Sequence, residues 1–235
     1  MQKTAFITGT SKGIGKAITE LLLSKNYIVF GYSRTNTITH PNFTFIKIDL
    51  SDLKKVQSLV FPKLNSPEVL LINNAARIGK IIPLNRKKEE DIINDYNLNI
   101  ISPNILCAKF INSFTKTKKI IVNISSGAAN NAIPSWGTYC ATKAALDKLT
   151  TVIAEEKHAN LTIFSIHPGI VDTQMQAEIR NADVNSFPLL SKFTNYYNNN
   201  ELEKPEIVAQ KLLYIIQNHI KYSQNILSIR DIKIN

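Results

Sequence analysis

Lys3-Thr4-Ala5-Phe6-Ile7-Thr8-Gly9-Thr10-Ser11-Lys12-Gly13-Ile14-Gly15 decides the fold. A short apolar run ends in a turn holding three glycines, and the helix-like stretch Lys16 to Lys25 follows. Strand, glycine turn and helix in that order make a phosphate-binding device: glycines let the backbone approach a pyrophosphate, and the helix N-terminus offers N–H groups without partners. The spacing Gly-x-x-x-Gly-x-Gly differs from the commoner Gly-x-Gly-x-x-Gly, so a plain tight turn is the competing reading. Cofactor-binding candidates here are Gly9, Ser11, Lys12, Gly13, Ile14 and Gly15.

Further strands are expected at Tyr27 to Tyr32, Phe43 to Ile48, Val69 to Ile72, Lys118 to Ser125, Leu161 to His167 and Asn225 to Ile229. Helical patterns lie between them, including Lys88 to about Phe114, 139 to 156 and Pro205 to about Gln217. This alternation predicts one α/β domain over 1–235, a doubly wound parallel sheet of about seven strands with helices on both faces. Ligands of such sheets bind at the carboxyl ends of the strands. Residues 174–204 form the expected substrate-loop region; the Asn- and Tyr-rich run Asn195 to Asn200 reads as a mobile lid or as a polar loop.

The second strand ends in Ser33-Arg34, and no Asp or Glu occurs between Glu20 and Asp49. An acid about twenty residues past the glycine turn normally holds the ribose 2′-hydroxyl of NAD. In its absence Arg34 and Lys12 offer charge-assisted hydrogen bonds to a 2′-phosphate, and NADP(H) is the expected cofactor. The third strand runs into Asp49-Leu50; Asp49 is a partner for the adenine amine or a turn residue, and both are placed at the cofactor. Asn73-Asn74-Ala75-Ala76 follow the fourth strand, where their amides brace the loop over the cofactor or serve only as turn residues.

Tyr139 and Lys143 stand at i and i+4 of a helix and share a face. A free phenol titrates near about 10, and a neighbouring ammonium favours the phenolate, so Lys143 is expected to lower the Tyr139 pKa. Ser126 closes the fifth strand, placed to aim its hydroxyl at a substrate oxygen. Such a trio moves a proton onto or off a carbonyl or alcohol oxygen. Asn99, inside a helical pattern and close to Pro103, either back-bonds or serves a site.

The formal charge of +10 comes from dispersed Lys and Arg; the longest basic run, Arg86-Lys87-Lys88, is followed at once by Glu89-Glu90-Asp91. Neither a nucleic-acid nor a membrane partner is expected. No apolar run reaches eighteen residues, and Met1-Gln2-Lys3 enters a strand pattern with no signal peptide, which predicts a cytoplasmic protein. Cys107 and Cys140 make no disulfide framework. Four scattered histidines, His40, His158, His167 and His219, lack ligand spacing, so no metal is expected.

Along nearly its full length the chain resembles the short-chain dehydrogenase/reductase family. The matching pieces are Thr8-Gly9-x-x-x-Gly13-Ile14-Gly15, Asp49, Asn73-Asn74-Ala75, Asn99, Ser126, Tyr139-x-x-x-Lys143 and Pro168-Gly169; Ala76 stands where the family usually has Gly. The resemblance implies a Rossmann fold with Tyr139 as general acid/base and Ser126 orienting the carbonyl. Lys143 would grip the nicotinamide ribose, Asn99 would support a water of the proton relay, and Ile170 and Thr173 would hold the carboxamide. It also implies a homodimer or homotetramer built on the helices at about 88 to 114 and 139 to 156.

Ser126-Gly127-Ala128-Ala129, Trp136-x-x-Tyr139-Cys140, Lys143-Ala144-x-x-Asp147 and Asp172-Thr173-x-Met175-Gln176 are more narrowly similar to sepiapterin reductases and bacterial benzil reductases. That likeness implies NADPH-dependent reduction of a vicinal diketone or pterin side-chain ketone, with Trp136 and Gln176 as substrate contacts. Asp231 aligns loosely with an acid that the subgroup sets against the pterin; an ion pair with Arg230 is the preferred reading. The alternatives are a 3-oxoacyl-carrier-protein reductase and a non-catalytic NADP(H)-sensing protein.

Overall fold

A computed structural model describes residues 1–234. Seven strands form one parallel sheet: β1 (Thr4–Thr8), β2 (Ile28–Ser33), β3 (Phe43–Lys47), β4 (Glu68–Asn73), β5 (Lys118–Ile124), β6 (Leu161–His167) and β7 (Ile226–Ser228). Their order is β3-β2-β1-β4-β5-β6-β7, and every adjacent pair is parallel. With β2 and β3 on one side of β1, and β4 to β7 on the other, the winding reverses beside β1, which opens a crevice at the strands' carboxyl ends.

Helices cover both faces, so the central strands are apolar throughout instead of alternating. All five residues of β1 are buried. One face packs Ile18 and Leu22 of α1 (Gly13–Ser24) with Val208, Leu212 and Ile216 of the helix Pro205–Gln217. The other packs Val56 of α2 (Leu53–Ser58) and Leu106 and Phe110 of the helix Ser102–Ser113 against Phe6, Leu71 and Ile121. At the opposite rim from the crevice, buried Glu68 is held by Lys3 at 2.9 Å and Lys118 at 2.7 Å.

The single helix expected over Lys88 to Phe114 is interrupted. It consists of α3 (Glu89–Tyr96), a wide π turn at Asn97–Ile101 and α4 (Ser102–Ser113). Pro103 has no N–H to give to the preceding turn, and the widened turn that precedes it rotates Asn99 into the interior, where it is 1% exposed. The polar stretch after β6 also differs from the loop reading. It holds α6 (Gln174–Arg180) and α7 (Leu190–Asn198), and Asn195 to Asn198 lie within α7. Phe187 and Phe193, both buried against Trp136, anchor it; two aromatic anchors outweigh a weak helix-forming composition.

The long helix α5 (Gly137–Glu155) carries Tyr139 and Lys143. Its buried stripe is Thr138, Tyr139, Thr142, Lys143, Leu146, Asp147, Thr150 and Ile153. Spacings of three and four put these on one face, yet most of them are polar. The sheet answers with polar partners: Asn123 of β5 donates to Thr150 Oγ1 at 2.9 Å, and Ser165 of β6 donates to Asp147 Oδ1 at 2.5 Å. The eighth helix, α8, is Pro205–Gln217. No helix of the described residues is long and apolar enough to cross a membrane, and they hold no group of three metal-ligating side chains.

Candidate active site

Two cavities open at the carboxyl ends of the strands and meet at Tyr139. The first, about 270 Å³, is lined by Gly9, Ser11, Lys12, Gly13 and Ile14 of the glycine turn, by Arg34, Asp49 and Leu50, and by Asn74, Ala75 and Lys143. The second, about 490 Å³, has Ser126, Trp136, Ile170 and Gln176 in its walls. Tyr139, Ser125, Ile14, Pro168, Thr173 and Met175 line both.

The turn between β1 and α1 is built for close approach. Gly9 has φ +74°, in the left-handed region that glycine occupies without strain. A Cβ on Gly15 would fall 2.1 Å from the Gly9 carbonyl oxygen and 2.3 Å from Asn74 Nδ2, so the helix could not seat under the turn with any side chain there. Asn74 ties the turn down, its amide donating to Thr8 O at 2.9 Å and Gly9 O at 3.2 Å. Its own N–H and that of Ala75 both donate to Thr8 Oγ1 at 2.9 Å. The turn and helix start fit a dinucleotide pyrophosphate, with N–H groups facing open space.

Arg34 is exposed at the end of β2 and draws the Asp49 carboxylate below its ordinary range, though the Ser51 hydroxyl and N–H, at 2.7 and 2.9 Å, do more. Lys12 caps α1 and its ammonium donates to Gln174 Oε1. Asn73 does not face the cavity. Its side chain is 3% exposed and donates to Asn123 Oδ1 at 2.8 Å and Cys107 Sγ at 3.3 Å, because it closes β4 with its side chain directed at α4; the neighbouring Asn74 takes the loop-bracing role.

Lys143 is 3% exposed and donates to Ile124 O at 2.7 Å. Burial lowers its pKa to about 8, although Asp147, one helical turn on, pulls upward. Its Nζ is 5.6 Å from the centre of the Tyr139 ring. The Tyr139 hydroxyl meets Met175 Sδ at 3.9 Å. Contrary to the sequence expectation, the Tyr139 pKa is raised to about 12: burial dominates, and only the Ser126 hydroxyl opposes it. Lys143 makes no hydrogen bond to the phenol; the one it donates goes to the Ile124 carbonyl. Ser126, half-buried after β5, starts a short 3₁₀ turn, and its Oγ accepts from Ala128 N–H at 3.1 Å.

Asn99 hydrogen-bonds both backbone groups of Arg77, accepting at 3.0 Å and donating at 2.9 Å, and also reaches Thr142 Oγ1 at 3.3 Å. It therefore joins the loop after β4 to α5. A second brace lies close by, and no sequence motif announces it. Asp95, fully buried, accepts from Arg77 Nε, from Lys87 Nζ at 2.6 Å and from Thr138 Oγ1 at 3.0 Å. Thr138 adjoins Tyr139, so the ion cluster fixes the start of α5. These four residues are spread from 77 to 138, and no local pattern links them. Asp231 lines neither cavity and forms no ion pair with Arg230 among the described residues; Arg230 itself lines the second.

A Rossmann sheet with a glycine turn at its switch point and a Ser, Tyr and Lys set beside the resulting crevice defines the nicotinamide-dependent oxidoreductases. The family model for short chain dehydrogenases matches residues 3–184, and the chain belongs to that family. It is an oxidoreductase acting on carbonyl and hydroxyl groups. It is 34% identical to the benzil reductase ((S)-benzoin forming) of Bacillus subtilis, over 90% of this chain and 92% of that one. The sepiapterin reductase of Rattus norvegicus is 31% identical over 90% of each chain. Among solved structures, the short chain dehydrogenase/reductase YIR035C of Saccharomyces cerevisiae superposes with a TM-score of 0.87 at 27% identity, covering 97% of this chain and 96% of that one.

Proposed function

We propose that the protein is an NADPH-dependent carbonyl reductase that reduces a vicinal diketone. The observation that carries this reading is the position of Tyr139, at the junction of the glycine-turn cavity and the aromatic-walled one. The similarity to benzil and sepiapterin reductases supports the substrate class.

When bound, the reduced nicotinamide supplies the hydride for the carbonyl carbon. Gly9, Gly13, Ile14 and Asn74 hold the turn over which its pyrophosphate would lie, Arg34 and Lys12 would meet a 2′-phosphate, and Ile170 and Thr173 would border the nicotinamide end. With a pKa of about 12 the Tyr139 phenol keeps its proton at neutral pH and so holds the proton that a general acid gives, although so high a value makes it a weak donor until charge develops on the carbonyl oxygen. Ser126 fixes the carbonyl oxygen beside that phenol. As the proton leaves, charge develops on Tyr139, and the ammonium of Lys143 stabilises it in surroundings from which water is excluded. Asn99 and Asp95 hold the loop and helix start that frame the site.

Trp136 lies edge-on to Tyr139, centroids 5.7 Å apart, and stacks on Phe187 at 5.6 Å. This wall suits a flat aromatic ketone. A carrier-protein thioester has less use for it, and a non-catalytic sensor has no use for the intact proton-transfer set. A pterin is disfavoured by the second cavity, whose lining holds Arg230 and not Asp231. A homodimer is in keeping with the exposed apolar side chains of Ile101 and Val152, on the π turn and α5.

The test is NADPH oxidation with benzil, diacetyl, sepiapterin and an acetoacetyl thioester, run beside the Tyr139→Phe variant. Benzil turnover that the variant loses by about 10³-fold is expected, in line with the worth of a general acid. Equal turnover by the variant defeats the assignment.

A further inference from the structure

The second cavity is uneven in charge. Its walls include Ile78, Ile133, Trp136, Ile179 and Phe193, all apolar, and its charged side chains are Lys192 and Arg230. No Asp or Glu is among its lining residues, although the chain contains 18 of them. The two cations come from separate elements, Lys192 from α7 and Arg230 from the 3₁₀ turn Ile229–Asp231 that follows β7. Arg230 lies against the bend after β6: a Cβ on Gly169 would come within 3.3 Å of its Nε, and Gly169, at φ +78°, leaves that space open. Among the described residues neither cation forms an ion pair.

The same wall holds a covered donor. Trp136 is 5% exposed, lines this cavity, and its indole Nε1–H has no partner among the described residues. A cavity with two cations and no carboxylate in its lining repels a basic ring and attracts an anion.

We propose that the ketone substrate carries a carboxylate at the end away from the reacting carbonyl, held by Arg230 and Lys192. The inference rests on the carbonyl reductase reading and narrows it, from diketones in general to anionic aryl diketones. The guanidinium fork offers a carboxylate two parallel hydrogen bonds, which a neutral amide of the same shape cannot match.

The experiment compares kcat/KM, with saturating NADPH, for benzil, 4-(2-oxo-2-phenylacetyl)benzoic acid and the corresponding carboxamide. The acid is expected to exceed the carboxamide by about tenfold or more, and the ratio to shrink as sodium chloride screens the charges. In the Arg230→Gln, Lys192→Gln double variant the ratio falls to about one, while carboxamide turnover by the same preparation reports a folded enzyme. A wild-type ratio of one or less, or a preference that survives in the double variant, overturns the proposal and leaves the reductase reading standing. Absence of turnover with all three compounds overturns that reading, and the proposal with it.

Discussion

His167 Nε2 lies 2.8 Å from Asp147 Oδ2, and Asp147 stands one helical turn after Lys143 on the buried stripe of α5. Ser165 of β6 supplies the other carboxylate oxygen with a hydrogen bond, and Ser125 at the end of β5 also faces it. His167 and Ser165 both belong to β6, so the strand that ends beside the substrate cavity orients the carboxylate nearest the Lys143 ammonium. These contacts hold the Asp147 carboxyl below the usual range, the His167 contact most among the favourable ones, against the opposing pull of burial. Asp147 is thereby a positioning residue that keeps Lys143 charged. Asp147→Asn is expected to move the alkaline limb of the kcat/KM profile to lower pH, since the removed charge no longer favours the ammonium. A merely structural role would lower activity and leave that limb where it is.

Lys143 sets a second pH dependence, this time in stability. Its pKa falls from 10.5 in the free side chain to about 8 in the fold. Below about pH 8 both folded and unfolded chains carry the proton, and the cost of burying the charge is present in full. Between about 8 and 10.5 the unfolded chain binds more protons, so stability rises with pH. A shift of this size is on the order of 3 kcal/mol, and the carbonyl of Ile124 left without its donor returns about 1–3 kcal/mol of it. Lys143→Met is therefore expected to be inactive yet more stable at pH 7, by about 1 kcal/mol, with the advantage gone by pH 10.5. Urea titrations at pH 7 and pH 10 check this. A variant less stable than the wild type at pH 7 contradicts the account.

The sheet and the pairing of Tyr139 with Lys143 on one helix face were legible because each is written locally. β1 and the glycine turn are contiguous, and Tyr139 and Lys143 are one helical turn apart, so periodicity and spacing suffice. What escaped is written across the chain. Asp95 meets Arg77, Lys87 and Thr138 only when the loop after β4, α3 and α5 have packed, and Asn73 and Asn74 exchange roles according to which faces the core. The helices in 174–198 depend on Phe187 and Phe193 finding Trp136, a contact that outweighs an Asn-rich composition. The rise of the Tyr139 pKa escaped for the same reason: two residues on one helix face give their proximity, and not the burial that the packed chain imposes on the phenol.

Arg34 has no counterpart acid on the same turn and extends at the rim of the glycine-turn cavity. Arg34→Ala is expected to weaken NADPH binding by about tenfold to a hundredfold, the worth of charge-assisted hydrogen bonds to a phosphate. NADH, which lacks that phosphate, should bind the two proteins alike. Titration of both reduced nucleotides by protein fluorescence measures the difference. Equal losses for both nucleotides would place Arg34 at another part of the cofactor.

The Asp95 cluster predicts a stability effect with a catalytic echo. Lys87, with a side chain 3% exposed, and the partly covered Arg77 share one carboxylate that is fully buried. Breaking a buried pair from one side leaves uncompensated charge and costs about 3–5 kcal/mol. Asp95→Ala should lose about that much stability in urea unfolding. Asp95→Asn keeps the shape and the hydrogen bond from Thr138 but not the charge, so it should fall between the variant and the wild type. Because Thr138 precedes Tyr139, both substitutions should lower kcat more than they raise KM. A change of less than about 1 kcal/mol in Asp95→Ala would mean that water reaches Lys87 once the carboxylate is gone, and that the start of α5 is held by Asn99 and Thr142 alone.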